Sequence, residues 1–229
     1  MNEIRTITID LDDTLWELLP VIKRAERRLY GWLQENYPRI TEMYEPTDLR
    51  EVRTQVIAEF ADRTHDLTFL RKTVLGRVAV AAGYSTDFID EAFGVFDVAR
   101  NDVDIFPEVI PALEALNENF VLIAVTNGNA NLTSIGIDHL FGDVVTAAMA
   151  GVAKPARQVF DLAVQVGGAS AEQTLHVGDH PLNDVEGARD AGLRTAWVNR
   201  TASIWPDEFA APEFEVTHVG ELLDLLGVE

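Results

Sequence analysis

The chain has 229 residues, enough for one large domain or a core with an insertion, and 47% of them are hydrophobic. Its 38 acidic against 18 basic residues give a formal charge of -20, which excludes a nucleic-acid polymer or an anionic membrane surface as partner, since both need a basic footprint. There is no cysteine, which excludes disulfides, a thiol nucleophile and a thiolate metal site; without a leader-like segment or an apolar run of membrane length, a cytoplasmic protein is the expectation.

The first apolar run, Ile4 to Ile9, leads into Asp10-Leu11-Asp12-Asp13-Thr14-Leu15. From about 17 to 104 the pattern turns helical, with no convincing strand. Pro20-Val21-Ile22 opens a helix through Glu35, Pro46 and Thr47-Asp48 precede a second through about Ala61, and Leu67 to Ala82 reads as a third. Thr86 to Ala99 reads as a fourth, with Ser85 or Thr86 as its cap. Apolar runs then return near 121–126, 144–147, 174–177 and 194–198, reading as buried parallel strands. Amphipathic stretches at 108–118, 130–136, 155–167 and 182–191 separate them. Pro107 and Pro155 sit where helices would start, Gly167 and Gly192 where they would stop. Alternating strand and helix predict an α/β fold with a doubly wound parallel sheet. Its core is discontinuous, 1–16 and 105–229, and an α-helical bundle over 17–104 interrupts it.

Four motifs stand just after apolar runs: the Asp10 motif, Thr126-Asn127-Gly128, Lys154-Pro155, and Gly178-Asp179 with Asn183-Asp184 close behind. Ligands of open parallel sheets bind at the carboxyl ends of the strands, so neighbouring strands would bring all four motifs to one place. Asp10, Asp12, Asp179 and Asp184 would carry four negative charges there. Two like charges about 4 Å apart repel by roughly 4 kcal/mol at an effective dielectric of 20, so the cluster calls for a cation, a shifted proton, or both. Oxygen-only ligands favour a hard ion such as Mg²⁺. With Lys154 it would bring the count to about -1, and the Thr126 hydroxyl and backbone amides would help to hold a phosphate dianion. A small phosphorylated metabolite is therefore the expected partner, because a local cation and a lysine can outweigh the global field. Of Asp10 and Asp12, one carboxylate can attack phosphorus while the other protonates the leaving oxygen and then activates water.

In their order, these four motifs resemble those of the haloacid dehalogenase superfamily of phosphatases, and the resemblance covers nearly the whole chain. It implies a Rossmann-like core with a mobile helical cap inserted after the first motif. It implies that Asp10 is the nucleophile forming an aspartyl phosphate and Asp12 the general acid/base. Mg²⁺ would be held by the Asp10 carboxylate, the Asp12 backbone carbonyl and Asp179, with Asp184 orienting the metal shell. Thr126, Asn127 and the Gly128 amide would bind the transferring phosphoryl group, and Lys154 would neutralise charge on nucleophile and phosphate. True dehalogenases of the superfamily lack an aspartate at the Asp12 position, so its presence favours phosphate chemistry. Softer positions (Trp16, Pro20-Val21-Ile22, Ala25-Glu26, Asn129 and His176) are similar to a bacterial branch acting on flavin mononucleotide and on 5-amino-6-(5-phospho-D-ribitylamino)uracil. A 5′-nucleotidase, a sugar-phosphate phosphatase, a phosphomutase and an idle phosphometabolite-binding protein remain alternatives on the same fold.

Other residues have two readings each. Trp16, at the exit of the first motif, is either a packed hinge residue or a platform for a flat leaving group such as a pyrimidine or flavin. Asp13 reads as a turn cap. Arg24, Arg27, Arg28, Arg71 and Lys72 read as solvated helix surface, with substrate recognition as the sharper reading. Tyr30, Trp32 and Phe69 read as bundle core, and His176 as a satisfied buried histidine. His65, His139 and His218 form no metal pattern. His180 follows Asp179 where many relatives carry a small residue such as serine, which would alter contacts beside the site.

Overall fold

Six strands, all parallel, form one sheet: β1 (Thr6–Ile9), β2 (Val121–Thr126), β3 (Asp143–Thr146), β4 (Thr174–Gly178), β5 (Arg194–Val198) and β6 (Phe214–Val216), in the order β3-β2-β1-β4-β5-β6. The computed structural model describes residues 3–228. The chain divides into two compact units, Met1–Glu17 with Asp104–Glu229 and Leu18–Val103. The sheet belongs to the first. It is an α/β Rossmann-like core, and the second unit is the inserted helical bundle.

All four residues of β1 are buried, as expected of a strand covered on both faces. Its two threonines hold their hydroxyls inside the fold. Thr6 Oγ1 donates to the Gly167 carbonyl at 3.1 Å, and Thr8 Oγ1 meets His176 Nδ1 at 2.8 Å. Ile9 pairs with Ala124 on one side and Val177 on the other. The chain leaves β1 for β2 and β3 on one side and returns to β4 on the other, so the strand order reverses beside β1. That reversal opens a crevice at the carboxyl ends of β1 and β4, where Asp10 and Asp179 lie.

The helical unit holds α1 (Leu18–Asn36), α2 (Pro38–Met43), α3 (Pro46–Glu59), α4 (Leu67–Ala81) and α5 (Ile89–Arg100). Helix α1 buries Val21, Ala25, Leu29 and Leu33, a four-residue spacing that keeps one stripe inward. Ala25, Leu29 and Leu33 pack in a core with Val56, Leu70, Val78, Ala92 and Phe96, and Trp32 and Phe69 join it from its edge. The basic residues pair with acids: Arg24 with Asp102, Arg71 with Glu26 at 3.8 Å and Lys72 with Asp90 at 2.7 Å, while Arg27 and Arg28 are exposed.

The core helices are α6 (Val109–Asn117), α7 (Leu132–Ile135), α8 (Ala147–Ala150), α9 (Arg157–Gly167), α10 (Gly187–Asp190) and α11 (Glu221–Leu226), with a π-helical turn at Pro181–Glu186 leading into α10. Helix α9 buries Val159 and Ala163 against Ile123, Val125 and Val145 of the sheet. Several boundaries differ from the sequence expectation. The helix expected from Thr86 is α5 and starts at Ile89, with Phe88 at its N-cap position and no side-chain cap, while Ser85 Oγ is engaged with Asp87. Pro107 and Pro155 precede their helices by two residues instead of occupying the first turn. Among the described residues, no helix is long and apolar enough to cross a membrane.

Candidate active site

Lys154 lies at the centre of the site. Its side chain is almost fully buried, and its Nζ donates to Asp10 Oδ1 at 2.5 Å, Asp184 Oδ1 at 2.6 Å and the Val125 carbonyl at 2.9 Å. A buried ammonium is tolerable only when paired and fully hydrogen-bonded, and these three acceptors meet its three N–H bonds. Burial works against its charge, but Asp10 and Asp184 outweigh burial and hold the ammonium above its ordinary value. Asn127 fixes the lysine backbone: its Oδ1 accepts from Lys154 N at 2.7 Å and its Nδ2 donates to Lys154 O at 3.0 Å. The end of β2 thus clamps the third motif. Thr126 Oγ1 accepts from the Gly128 amide at 2.8 Å, which closes the turn beyond β2.

Asp184 is buried by 99% and both its oxygens are engaged. Oδ1 meets Lys154 and, at 3.2 Å, His176 Nε2, while Oδ2 accepts from the His180 amide at 2.9 Å. Burial opposes its charge, yet Lys154 and His176 hold this carboxyl well below the usual range. Burial lowers His176, which is satisfied on both ring nitrogens by Thr8 and Asp184. His180 turns its ring toward its own turn: Nδ1 accepts from the Leu182 and Asn183 amides at 3.2 Å, capping the π-helical segment. Gly178 is required by this packing. A Cβ there would lie 2.4 Å from Asp184 Cγ.

Asp10 is 7% exposed. Burial raises its pKa, Asp184 and Asp179 add to the rise, and Lys154 opposes it. Asp179 is pushed up to about 7, first by burial, then by the charges of Asp184 and Asp13. Its backbone carbonyl accepts the Trp197 indole N–H at 2.7 Å. The Thr14 hydroxyl reaches toward both, at 3.5 Å from Asp10 Oδ2 and 3.4 Å from Asp179 Oδ1. Sequence reasoning passed over Thr14 and Trp197; their signal was position alone, one inside the first motif and the other on the strand beside β4.

Asp12 stands apart from this cluster. Its Oδ1 accepts the Trp16 indole N–H at 2.9 Å. The turn between them is tight: the Asp13 amide donates to Trp16 O at 2.8 Å, and Asp13 adopts a left-handed φ of 63°. That conformation is tolerated best by Gly, Asn and Asp. Trp16 is completely buried, so its ring is a packing element and not a platform for a flat leaving group.

Asp10, Asp179 and Asp184 each offer a carboxylate oxygen, all within 4.8 Å of one another. Three carboxylates and one ammonium sum to two net negative charges when all are ionised. The elevated Asp179 registers its burial first and that excess second. An all-oxygen donor set with uncompensated negative charge fits a divalent hard cation. Asp184 is already committed to Lys154, His176 and the His180 amide, which leaves Asp10 and Asp179 as the better placed ligands.

Comparison with known proteins agrees with this fold. The profile of the haloacid dehalogenase-like hydrolases matches residues 4–192, and the chain belongs to that family. It is therefore a hydrolase, and its acidic cluster fits divalent-metal-dependent phosphoryl transfer through an aspartyl intermediate. Among similar proteins is the 5-amino-6-(5-phospho-D-ribitylamino)uracil phosphatase YigB of Escherichia coli K12, 28% identical over 99% of this chain and 98% of that protein. A glyceraldehyde 3-phosphate phosphatase of Methanopyrus kandleri is 29% identical over 97% of each. The crystal structure of a 2-haloacid dehalogenase from Pseudomonas syringae pv. Tomato DC3000 superimposes with a TM-score of 0.93, at 36% identity over 98% of both chains.

Proposed function

We propose that this chain is a Mg²⁺-dependent phosphomonoesterase acting on a small organic phosphate, with flavin mononucleotide and 5-amino-6-(5-phospho-D-ribitylamino)uracil as the leading substrates. A carboxylate of Asp10 attacks phosphorus and the ester P–O bond breaks. The departing alkoxide takes a proton from Asp12, so an aspartyl phosphate and a free alcohol result. Asp12, now ionised, removes a proton from water, whose oxygen attacks phosphorus and releases inorganic phosphate and the Asp10 carboxylate. Lys154 holds Asp10 by Oδ1 and counters charge in both steps. Asp10, Asp179 and the Asp12 backbone carbonyl would hold Mg²⁺, with Asp184 supporting from behind. Bound there, the ion supplies positive charge to the phosphoryl oxygens. Thr126 would contact the phosphoryl group through its hydroxyl, which the Gly128 amide holds in place, and Asn127 contributes through its clamp on Lys154.

The observation that carries this reading is Asp12. A carboxyl group two residues past the nucleophile serves a leaving group that needs a proton, and an alkoxide needs one. The near full-length similarity to the Escherichia coli phosphatase supports the ribitylaminouracil phosphate as substrate.

A second reading, displacement of halide from a haloacid, is favoured by the likeness to the Pseudomonas syringae structure. Halide leaves unprotonated, which leaves Asp12 without its acid role in the first step. The two readings separate in one experiment. Phosphate release is followed in Mg²⁺ from flavin mononucleotide, the ribitylaminouracil phosphate, glyceraldehyde 3-phosphate, nucleoside monophosphates and p-nitrophenyl phosphate, and halide release from 2-chloropropionate. Selective turnover of the two ribityl phosphates by kcat/KM is the expected result. Halide release without phosphate release would reject the phosphatase reading.

A further inference from the structure

We infer that Trp16 is a positioning residue for the leaving-group proton transfer, acting through Asp12. This inference rests on the reading of Asp12 as the general acid/base. Its starting point is the 2.9 Å bond from Trp16 Nε1 to Asp12 Oδ1, a contact between two side chains four residues apart across the first turn.

Three observations make the indole a rigid anchor. Trp16 is fully buried, among the largest side chains with no exposure. Its backbone is tied on both sides: the Asp13 amide donates to Trp16 O at 2.8 Å, and Trp16 forms a bridge with Ile105. Its neighbour Leu15 accepts the Phe106 amide at 3.0 Å. By contrast Asp12 is only half-buried. Carboxylates on turns sample several rotamers, and each departure from reach of the leaving oxygen slows proton transfer. A donor fixed in the fold removes that freedom.

The chemistry of the donor also suits the cycle. Asp12 must be a carboxylic acid when the alkoxide leaves and a carboxylate when water attacks. An indole N–H donates and never accepts. It can therefore keep its bond to a carboxyl oxygen in both forms, without competing for the acidic proton. A side chain able to accept, such as serine or histidine, could divert that proton.

The bond could instead merely satisfy a buried indole N–H. Leaving-group dependence separates the two roles. We would compare wild type, Trp16→Phe, Asp12→Ala and the double variant on flavin mononucleotide, an alkyl phosphate, and on p-nitrophenyl phosphate, whose leaving group needs no proton. Trp16→Phe should lower kcat/KM about tenfold on the alkyl phosphate and within about twofold on the nitrophenyl ester. Added to Asp12→Ala it should cost nothing more. If Trp16→Phe does not fold, β-(3-benzothienyl)alanine placed at 16 keeps the ring shape and replaces N–H by sulfur. Equal losses on both substrates, no loss on either, or full additivity with Asp12→Ala would overturn the positioning role. If Asp12→Ala itself shows no leaving-group dependence, the acid/base reading fails and the inference falls with it. If Asp12→Ala shows the dependence and Trp16→Phe does not, only the inference falls.

Discussion

Replacing Gly178 by alanine places a methyl carbon 2.4 Å from Asp184 Cγ and 2.7 Å from its Cβ and Oδ2. Ordinary carbon contacts begin near 3.5 Å, so one side must move by about 1 Å. Asp184 cannot swing freely, because Lys154 at 2.6 Å, His176 at 3.2 Å and the His180 amide at 2.9 Å hold it. Overpacking of this kind costs about 1–3 kcal/mol. In a chain of this size each kcal/mol lowers Tm by about 2–4 °C, so a fall of roughly 2–12 °C is expected. Displacing Asp184 also displaces Lys154 and, through it, Asp10. A shift of about 1 Å in a reacting group can cost on the order of 100-fold in rate. The assay pairs thermal unfolding with kcat for phosphate release. Gly31→Ala serves as control: nothing lies within 4 Å of a Cβ there, and removing a mid-helix glycine should add up to about 1 kcal/mol of stability. If Gly178→Ala matches wild type in both Tm and kcat, Asp184 does not position Lys154 and the reasoning is wrong.

Asp10→Asn should abolish turnover with circular dichroism unchanged, because an amide is a poor nucleophile; appreciable phosphate release would remove Asp10 from that role. Asn127→Ala should lower Tm in the absence of any substrate, by breaking both bonds to the Lys154 backbone; an unchanged Tm would show that the clamp contributes nothing to stability. The raised Asp179 gives a pH signature. Ordinary aspartate titrates near 3.9 and folded Asp179 near 7, so without an ion its contribution to stability is full below the unfolded value and lost as pH rises through about 7. Mg²⁺ competes with that proton, so the Tm gained on adding Mg²⁺ should be larger at pH 8 than at pH 6; an equal or reversed gain would contradict it.

The sheet was legible because its central strands are short, continuous apolar runs, and the motifs were legible because each follows such a run. Strand β6 escaped notice: it has three residues, and Glu215 interrupts its apolar pattern. Helix α2, six residues long, was too short to show a period. Within the site, the sequence implies a set of residues but not which oxygen meets which donor. Asp184 lies with Asp10 and Asp179 as expected, but it also binds Lys154 and His176, because β4 brings His176 under the same carboxylate. Asn127, expected at the phosphoryl group, spends its amide on the Lys154 backbone. His180, expected to alter contacts beside the site, caps its own turn. Such assignments depend on contacts between residues far apart in the chain, Asn127 and Lys154 among them, and no local pattern encodes them.

The pairing of Trp16 with Ile105, with the Phe106 amide on Leu15 O, has a consequence for how such chains diversify. The segment leaving the core for the helical unit and the segment coming back are joined to each other on the core side of the junction. Everything between Leu18 and Val103 therefore hangs from a closed neck, and the ends of any replacement segment need only meet there. A lineage, or a designer, can exchange that segment as a cassette while the loop bearing the nucleophile keeps its own hydrogen bonds.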